Sequence, residues 1–177
     1  MKSVITRRDF GGAVLGAAAL AGGAVCRSAE AGSLPQPTEK PILTITGRIA
    51  ATNKVDAARF DRPMLEALGM SGFETTTPWY NGPVRFEGVS MSRLMQEVGA
   101  TGETVIAYAI NDYSTEIPME DFTRYNVLLA LKRDGQYMSV RDKGPLFIVY
   151  PFDSLPELKH QRFYSRSAWQ VARFVIR

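Results

Sequence analysis

Turn-forming residues interrupt this chain before any apolar run grows long. From residue 42 onward the apolar stretches end at Gly47, Gly69, Pro78, Gly99, Asn111-Asp112-Tyr113, Asp134-Gly135, Gly144-Pro145 and Pro151. Such punctuation excludes a coiled coil and permits only short elements. One segment carries a clear helical period: Met91, Leu94, Met95 and Val98 follow the i, i+3, i+4, i+7 spacing between a capping Ser90 and Gly99. That methionine stripe is expected to pack in the core. Asp61 and Pro63 open a short helix through Leu68, and Pro118 opens another with an acidic start.

The remaining apolar segments read as strands: Ile42–Thr46, Val84–Phe86, Thr104–Ile110, Thr115–Ile117, Leu146–Tyr150 and Trp169–Ile176. Val127–Lys132 and Gln136–Val140 flank Asp134-Gly135, a strong hairpin signal. Phe73–Trp79 reads as an extended segment and loop, and residues 152–167 as a loop. Short strands and a few short helices, unevenly interspersed and without repeats, predict one α+β domain over residues 42–177. Residues 32–41, with three prolines, read as a linker.

A length of 177 residues, 45% hydrophobic, suits a single domain with a sizeable core. Of the net charge of +3, Lys2, Arg7, Arg8 and Arg27 against Asp9 and Glu30 account for most, so the predicted domain is close to neutral. Nucleic acid is therefore not an expected partner.

The first 31 residues read as an export signal. A basic start precedes an uncharged Ala- and Gly-rich run over residues 10–25, too short for a membrane span, and Ala29-Glu30-Ala31 has the form of a cleavage site. Thr6-Arg7-Arg8-Asp9-Phe10 resembles the twin-arginine motif, whose route exports proteins already folded. An ordinary secretory signal with two arginines is the alternative; lipidation at Cys26 fits poorly behind Val25. The expected location is the periplasm, with no membrane insertion after cleavage. Cleavage after Ala31 would remove Cys26, the one cysteine, leaving no thiolate ligand and His160 as the one histidine. No metal site is expected from such a set, and no nucleotide or hydrolase motif is present.

The order of segments resembles the molybdopterin-binding domain of the sulfite oxidase family. The resemblance rests on Phe86-Glu87-Gly88-Val89 and the helix after it, Asn111-Asp112-Tyr113 through Ile117-Pro118, Leu128-Leu129-Ala130 with its hairpin, Gly144-Pro145-Leu146 through Tyr150-Pro151, and Trp169-Gln170. It implies that fold and a pterin-type cofactor. Two departures stand out. Catalytic members hold molybdenum through a cysteine in the loop before the first of these segments, where this chain reads Phe73-Glu74-Thr75-Thr76-Thr77-Pro78-Trp79. A threonine hydroxyl is no substitute for a soft thiolate. The family's Pro-Leu-Arg turn is Pro145-Leu146-Phe147 here. The combination is similar to a group of short, exported, cysteine-free relatives, the PruR-type periplasmic pterin-binding proteins. They present a free pterin to a membrane sensor of cyclic di-GMP signalling.

A pterin needs aromatic faces to stack on and polar groups along its edge. Trp79 is the main stacking candidate, a lid on the core being its alternative role; Tyr113 and Tyr150 are further ones. Asp112 is a candidate carboxylate for the amino-pyrimidinone edge, its alternative being an Asx turn, and Asn111 a second edge contact. Arg141, Lys143, Arg162 and Arg166 are candidates for an anionic tail, or else solvated surface charges. The reading leans away from catalysis: an exported pterin-binding protein with molybdenum not expected, acting through a membrane sensor. A molybdenum-cofactor oxidoreductase, or a subunit of one, is the alternative. A domain that keeps the fold only as an interaction surface is a third reading.

Overall fold

The structure is a computed structural model that describes residues 33–177. The export signal expected over residues 1–31 lies outside the described residues. In chain order the strands are β1 (Leu43–Gly47), β2 (Ala57–Phe60), β3 (Met70–Thr76), β4 (Pro83–Ser90), β5 (Thr104–Ala109), β6 (Ser114–Pro118), β7 (Leu128–Arg133), β8 (Gln136–Tyr137), β9 (Phe147–Val149) and β10 (Val171–Ile176). The helices are α1 (Arg62–Ala67), α2 (Met91–Glu97), α3 (Glu120–Arg124) and α4 (Gln161–Arg166), with single 3-10 turns at Val140–Asp142 and Pro156–Leu158. This is the single α+β domain that the sequence predicts.

The strands form two five-stranded sheets. One runs β2-β1-β10-β5-β6; the other runs β3-β4-β7, with β8 and β9 each pairing a different part of β7. All pairings are antiparallel except β1 with β10, which sets Ile45 beside Phe174. The first and last strands therefore share the middle of one sheet. Their apolar side chains alternate inward: Leu43 and Ile45 on β1, and Val171, Phe174 and Ile176 on β10, are all buried. β7 is buried from Leu128 to Leu131, as expected of a strand covered on both faces.

The expected helix over residues 91–98 is α2, and Met91, Leu94, Met95 and Val98 are all buried. Ser90 stands at its N-cap but makes no capping bond, because its hydroxyl pairs with Ser92 at 2.8 Å. The backbone N–H of Met91 instead donates to Val127 of the neighbouring strand connection at 2.9 Å. Asp134 (φ 49°) and Gly135 (φ 77°) form the two-residue hairpin turn between β7 and β8. Gly88 has a different reason to be glycine. A Cβ there would run into the Leu129 carbonyl of β7, next to a bulge at Glu87/Gly88.

Residues 33–41 have no helix or strand but are tied to the domain. Leu34 is buried, and Asn53 donates to Pro35 at 2.8 Å. Asp61, fully buried, caps α1 by accepting from Met64 N–H at 2.9 Å and holds Thr38 N–H at 2.6 Å and Glu39 N–H at 2.8 Å. Burial acts to raise its pKa, but the bonds from Glu39, Met64 and Thr38 outweigh it and hold the carboxyl below the ordinary carboxylate value.

Residues 152–167 correct the loop expected there. They fold into the 3-10 turn at 156–158 and then α4, whose first turn is capped by the His160 ring accepting from Arg162 N–H at 3.2 Å. Phe163 is the buried residue of this helix, so it presents no repeating apolar stripe to read in the sequence. Likewise β2 has four residues and follows Asp56 at φ 53°, a turn the sequence does not announce.

Candidate functional site

A cavity of about 400 Å³ lies where the β5–β6 connection meets α4 and the approach to β10. Its size falls in the range of small-ligand pockets. One wall is aromatic: Trp79, Tyr164 and Trp169, with Pro78 beside them. Asn111, Tyr113, Gln161, Ser165 and Ser167 supply the polar groups.

Trp79 is placed by the proline before it and by four aromatic neighbours. Its ring meets Phe147 at 5.4 Å, Trp169 at 5.6 Å, Phe152 at 6.1 Å and Tyr164 at 6.1 Å, all edge-to-face. It both packs on the core and forms part of the cavity wall. Trp169 is fixed by a bridge pairing with Phe147. The Asn111 side-chain oxygen accepts from Tyr113 N–H at 3.3 Å, an Asx turn that leaves the Asn111 amino group as donor. The Tyr113 hydroxyl donates to the Ser165 carbonyl of α4 at 3.0 Å, tying the two sides together.

Three of the residues singled out from the sequence, Trp79, Asn111 and Tyr113, thus share one cavity. The others stand elsewhere. Asp112 is exposed at φ 63° and donates its N–H to Ala109, so it shapes the turn without lining the cavity. Arg141 is exposed in the 140–142 turn. Lys143 lies between two rings, its amine 5.2 Å from the centroids of Tyr80 and of Trp169. Arg162 lies over the Phe163 ring at 4.6 Å.

Tyr150 and Arg166 meet at a residue the sequence did not single out. Asp121, on the first turn of α3, is buried and accepts from the Tyr150 hydroxyl at 2.7 Å and from Arg166 Nη1 at 2.7 Å. The Tyr150 ring, read from the sequence as a stacking face, is fully buried in the core and not on the cavity wall. Burial first, and the Asp121 carboxylate second, push its hydroxyl well above the ordinary tyrosine value. The trio joins the ends of β9, α3 and α4 and so fixes the helix that brings Gln161, Tyr164 and Ser165 to the cavity.

Sequence reasoning missed Gln161, Tyr164, Ser165, Ser167 and Trp169 as wall residues, because they sit on or beside the unannounced α4. The signal available was Trp169 itself, a second tryptophan at the edge of a polar segment. A further cluster lies next to the site: Arg133 Nη1 contacts Asp142 at 2.7 Å and its guanidinium covers the Tyr80 ring at 4.6 Å. Burial raises the Tyr80 hydroxyl pKa. Among the described residues, no three His, Cys, Asp or Glu side chains gather as a metal site.

The arrangement defines a domain with a small-ligand cavity of flat aromatic walls and neutral polar edges. The oxidoreductase molybdopterin binding domain family matches residues 52–152, and the chain belongs to it. No curated protein matches the chain. The matched stretch supplies Pro78, Trp79, Ala109, Asn111 and Tyr113, whereas Gln161, Tyr164, Ser165, Ser167 and Trp169 lie C-terminal to it. The family points to a pterin-type cofactor.

Proposed function

We propose that this chain is an exported pterin-binding protein that holds its ligand in the cavity between Trp79 and α4, without molybdenum chemistry, and acts through a membrane sensor. The observation that carries the reading is the cavity wall itself. Trp79, Tyr164 and Trp169 supply aromatic surface, and the Asn111 and Gln161 amides supply neutral donors and acceptors. A pterin presents an N–H, a carbonyl and an amino group along one edge, which side-chain amides complement. These amides take the role that the Asp112 carboxylate was expected to fill. Family membership supports the ligand class.

Residues 33–177 contain no cysteine, so no protein thiolate is available for molybdenum. The threonines of the relevant loop are otherwise engaged: Thr75 Oγ1 accepts from Asp153 N–H at 3.0 Å, and Thr77 Oγ1 from Trp79 N–H at 3.3 Å. The twin-arginine-like flank at Arg7-Arg8 supports export in the folded state to the periplasm. It is also the feature that favours the second reading, a molybdenum-cofactor oxidoreductase loaded before export. The sensor partner rests on the resemblance to exported pterin-binding relatives alone.

The test is a titration of the purified protein with 6-hydroxymethylpterin, followed by quenching of tryptophan fluorescence. Saturable quenching that disappears in Trp79→Ala is expected. Absence of saturable quenching would overturn the reading.

A further inference from the structure

Among the described residues, the cavity wall carries no carboxylate, ammonium or guanidinium. Its polar side-chain groups are two amides, two serine hydroxyls, two tyrosine hydroxyls and two indole N–H groups, all neutral. None of the basic residues singled out for an anionic tail lines the cavity. Arg166 is bound to Asp121 at 2.7 Å, Lys143 lies between Tyr80 and Trp169, Arg162 lies over Phe163, and Arg141 is exposed on its turn. We infer that the site selects an uncharged heterocycle and discriminates against its phosphate ester, so that the anionic tail of a molybdopterin is a barrier to binding here. The inference rests on the pterin reading for the shape of the ring, and on the wall composition for its charge.

The physical ground is desolvation. A phosphate that enters an aromatic-walled cavity sheds water, and that loss is recovered only through charge-assisted bonds to cationic groups. The serine hydroxyls have little to offer in their place. Ser165 Oγ donates to Arg162 O at 2.9 Å and Ser167 Oγ to Phe163 O at 3.0 Å, so each hydroxyl proton is already committed and only lone pairs remain, the wrong polarity for an anion. The Tyr113 hydroxyl likewise gives its proton to Ser165 O. A neutral lactam and amino edge, by contrast, donates to such acceptors. Five of the ten wall residues, Ser165 and Ser167 among them, lie beyond the family-matched stretch.

The experiment compares 6-hydroxymethylpterin with its monophosphate ester on the purified protein, by the same fluorescence titration. The neutral ring is expected to bind at least about tenfold more tightly, a lower bound because an unpaired buried charge costs more than an unpaired neutral group. Equal or tighter binding of the ester would overturn this inference and leave the pterin reading standing; failure of both rings would overturn both. Ser165→Arg places a cation on the wall at an exposed helical position. It is expected to shift the preference toward the ester by tenfold or more, and an unchanged preference would contradict the assignment.

Discussion

Removing the carboxylate of Asp121 should damage both the fold and the cavity. Asp121 is 3% exposed and its Oδ2 takes bonds from Tyr150 and Arg166, each at 2.7 Å. In Asp121→Ala a buried tyrosine hydroxyl loses its acceptor, a loss of roughly 1–3 kcal/mol. Breaking a buried ion pair costs about 3–5 kcal/mol. The Arg166 side chain is 19% exposed, so water recovers part of that second loss. Both losses also arise from one oxygen, so they overlap. We expect a net destabilisation of about 3 kcal/mol, which at roughly 2–4 °C per kcal/mol lowers Tm by about 10 °C. Urea unfolding of the single variant, of Tyr150→Phe and of the double variant measures it. Tyr150→Phe alone should cost about 1 kcal/mol. The double variant should be less destabilised than the sum, because no hydroxyl is stranded. A loss below about 0.5 kcal/mol for Asp121→Ala, or strict additivity in the double variant, would refute the anchoring role of this carboxylate.

Other outcomes follow from the same structure. Gly88→Ala drives a Cβ into the Leu129 carbonyl, so β4 and β7 must separate; loss of soluble folded protein, or destabilisation above about 3 kcal/mol, is expected by thermal unfolding. Trp79→Ala removes the ring at the centre of four aromatic contacts and should cost about 3–5 kcal/mol as well as the ligand. Asp61 has a folded pKa below its ordinary value of 3.8, so its contribution is complete above that value and is lost as pH falls through the lower folded pKa; Asp61→Asn should flatten this acid limb of the stability curve. Replacing Arg7 and Arg8 with lysine should leave the precursor in the cytoplasm, seen by fractionation, and normal export would point to the general secretory route.

Much of the fold was readable because single signals sufficed. The Met91–Val98 stripe gave α2, and Asp134-Gly135 gave the β7–β8 hairpin through its two positive φ angles. The site was readable only on one side. Trp79 stood out as a tryptophan behind a proline in a loop, and Asn111 and Tyr113 as polar and aromatic residues in a turn at a strand end. The other side was hidden in a six-residue helix with one buried residue, Phe163, and no periodicity to detect. Asp121 was hidden for a different reason. An acid at a helix start reads as solvated, and only the tertiary approach of Tyr150 and Arg166 turns it into a buried anchor. Tyr150 was read as a stacking face and Arg166 as a partner for an anionic tail, but both are bonded to this acid and neither lines the cavity.

The most direct test of the account is the content of the protein as isolated from its native cells under anaerobic, reducing conditions. After denaturation, the released small molecules are oxidised and assayed for pterin fluorescence, and the protein for molybdenum. The account predicts a pterin at close to one per chain and no stoichiometric molybdenum. Molybdenum at one per chain would contradict it and establish an oxidoreductase whose metal is held without a protein thiolate.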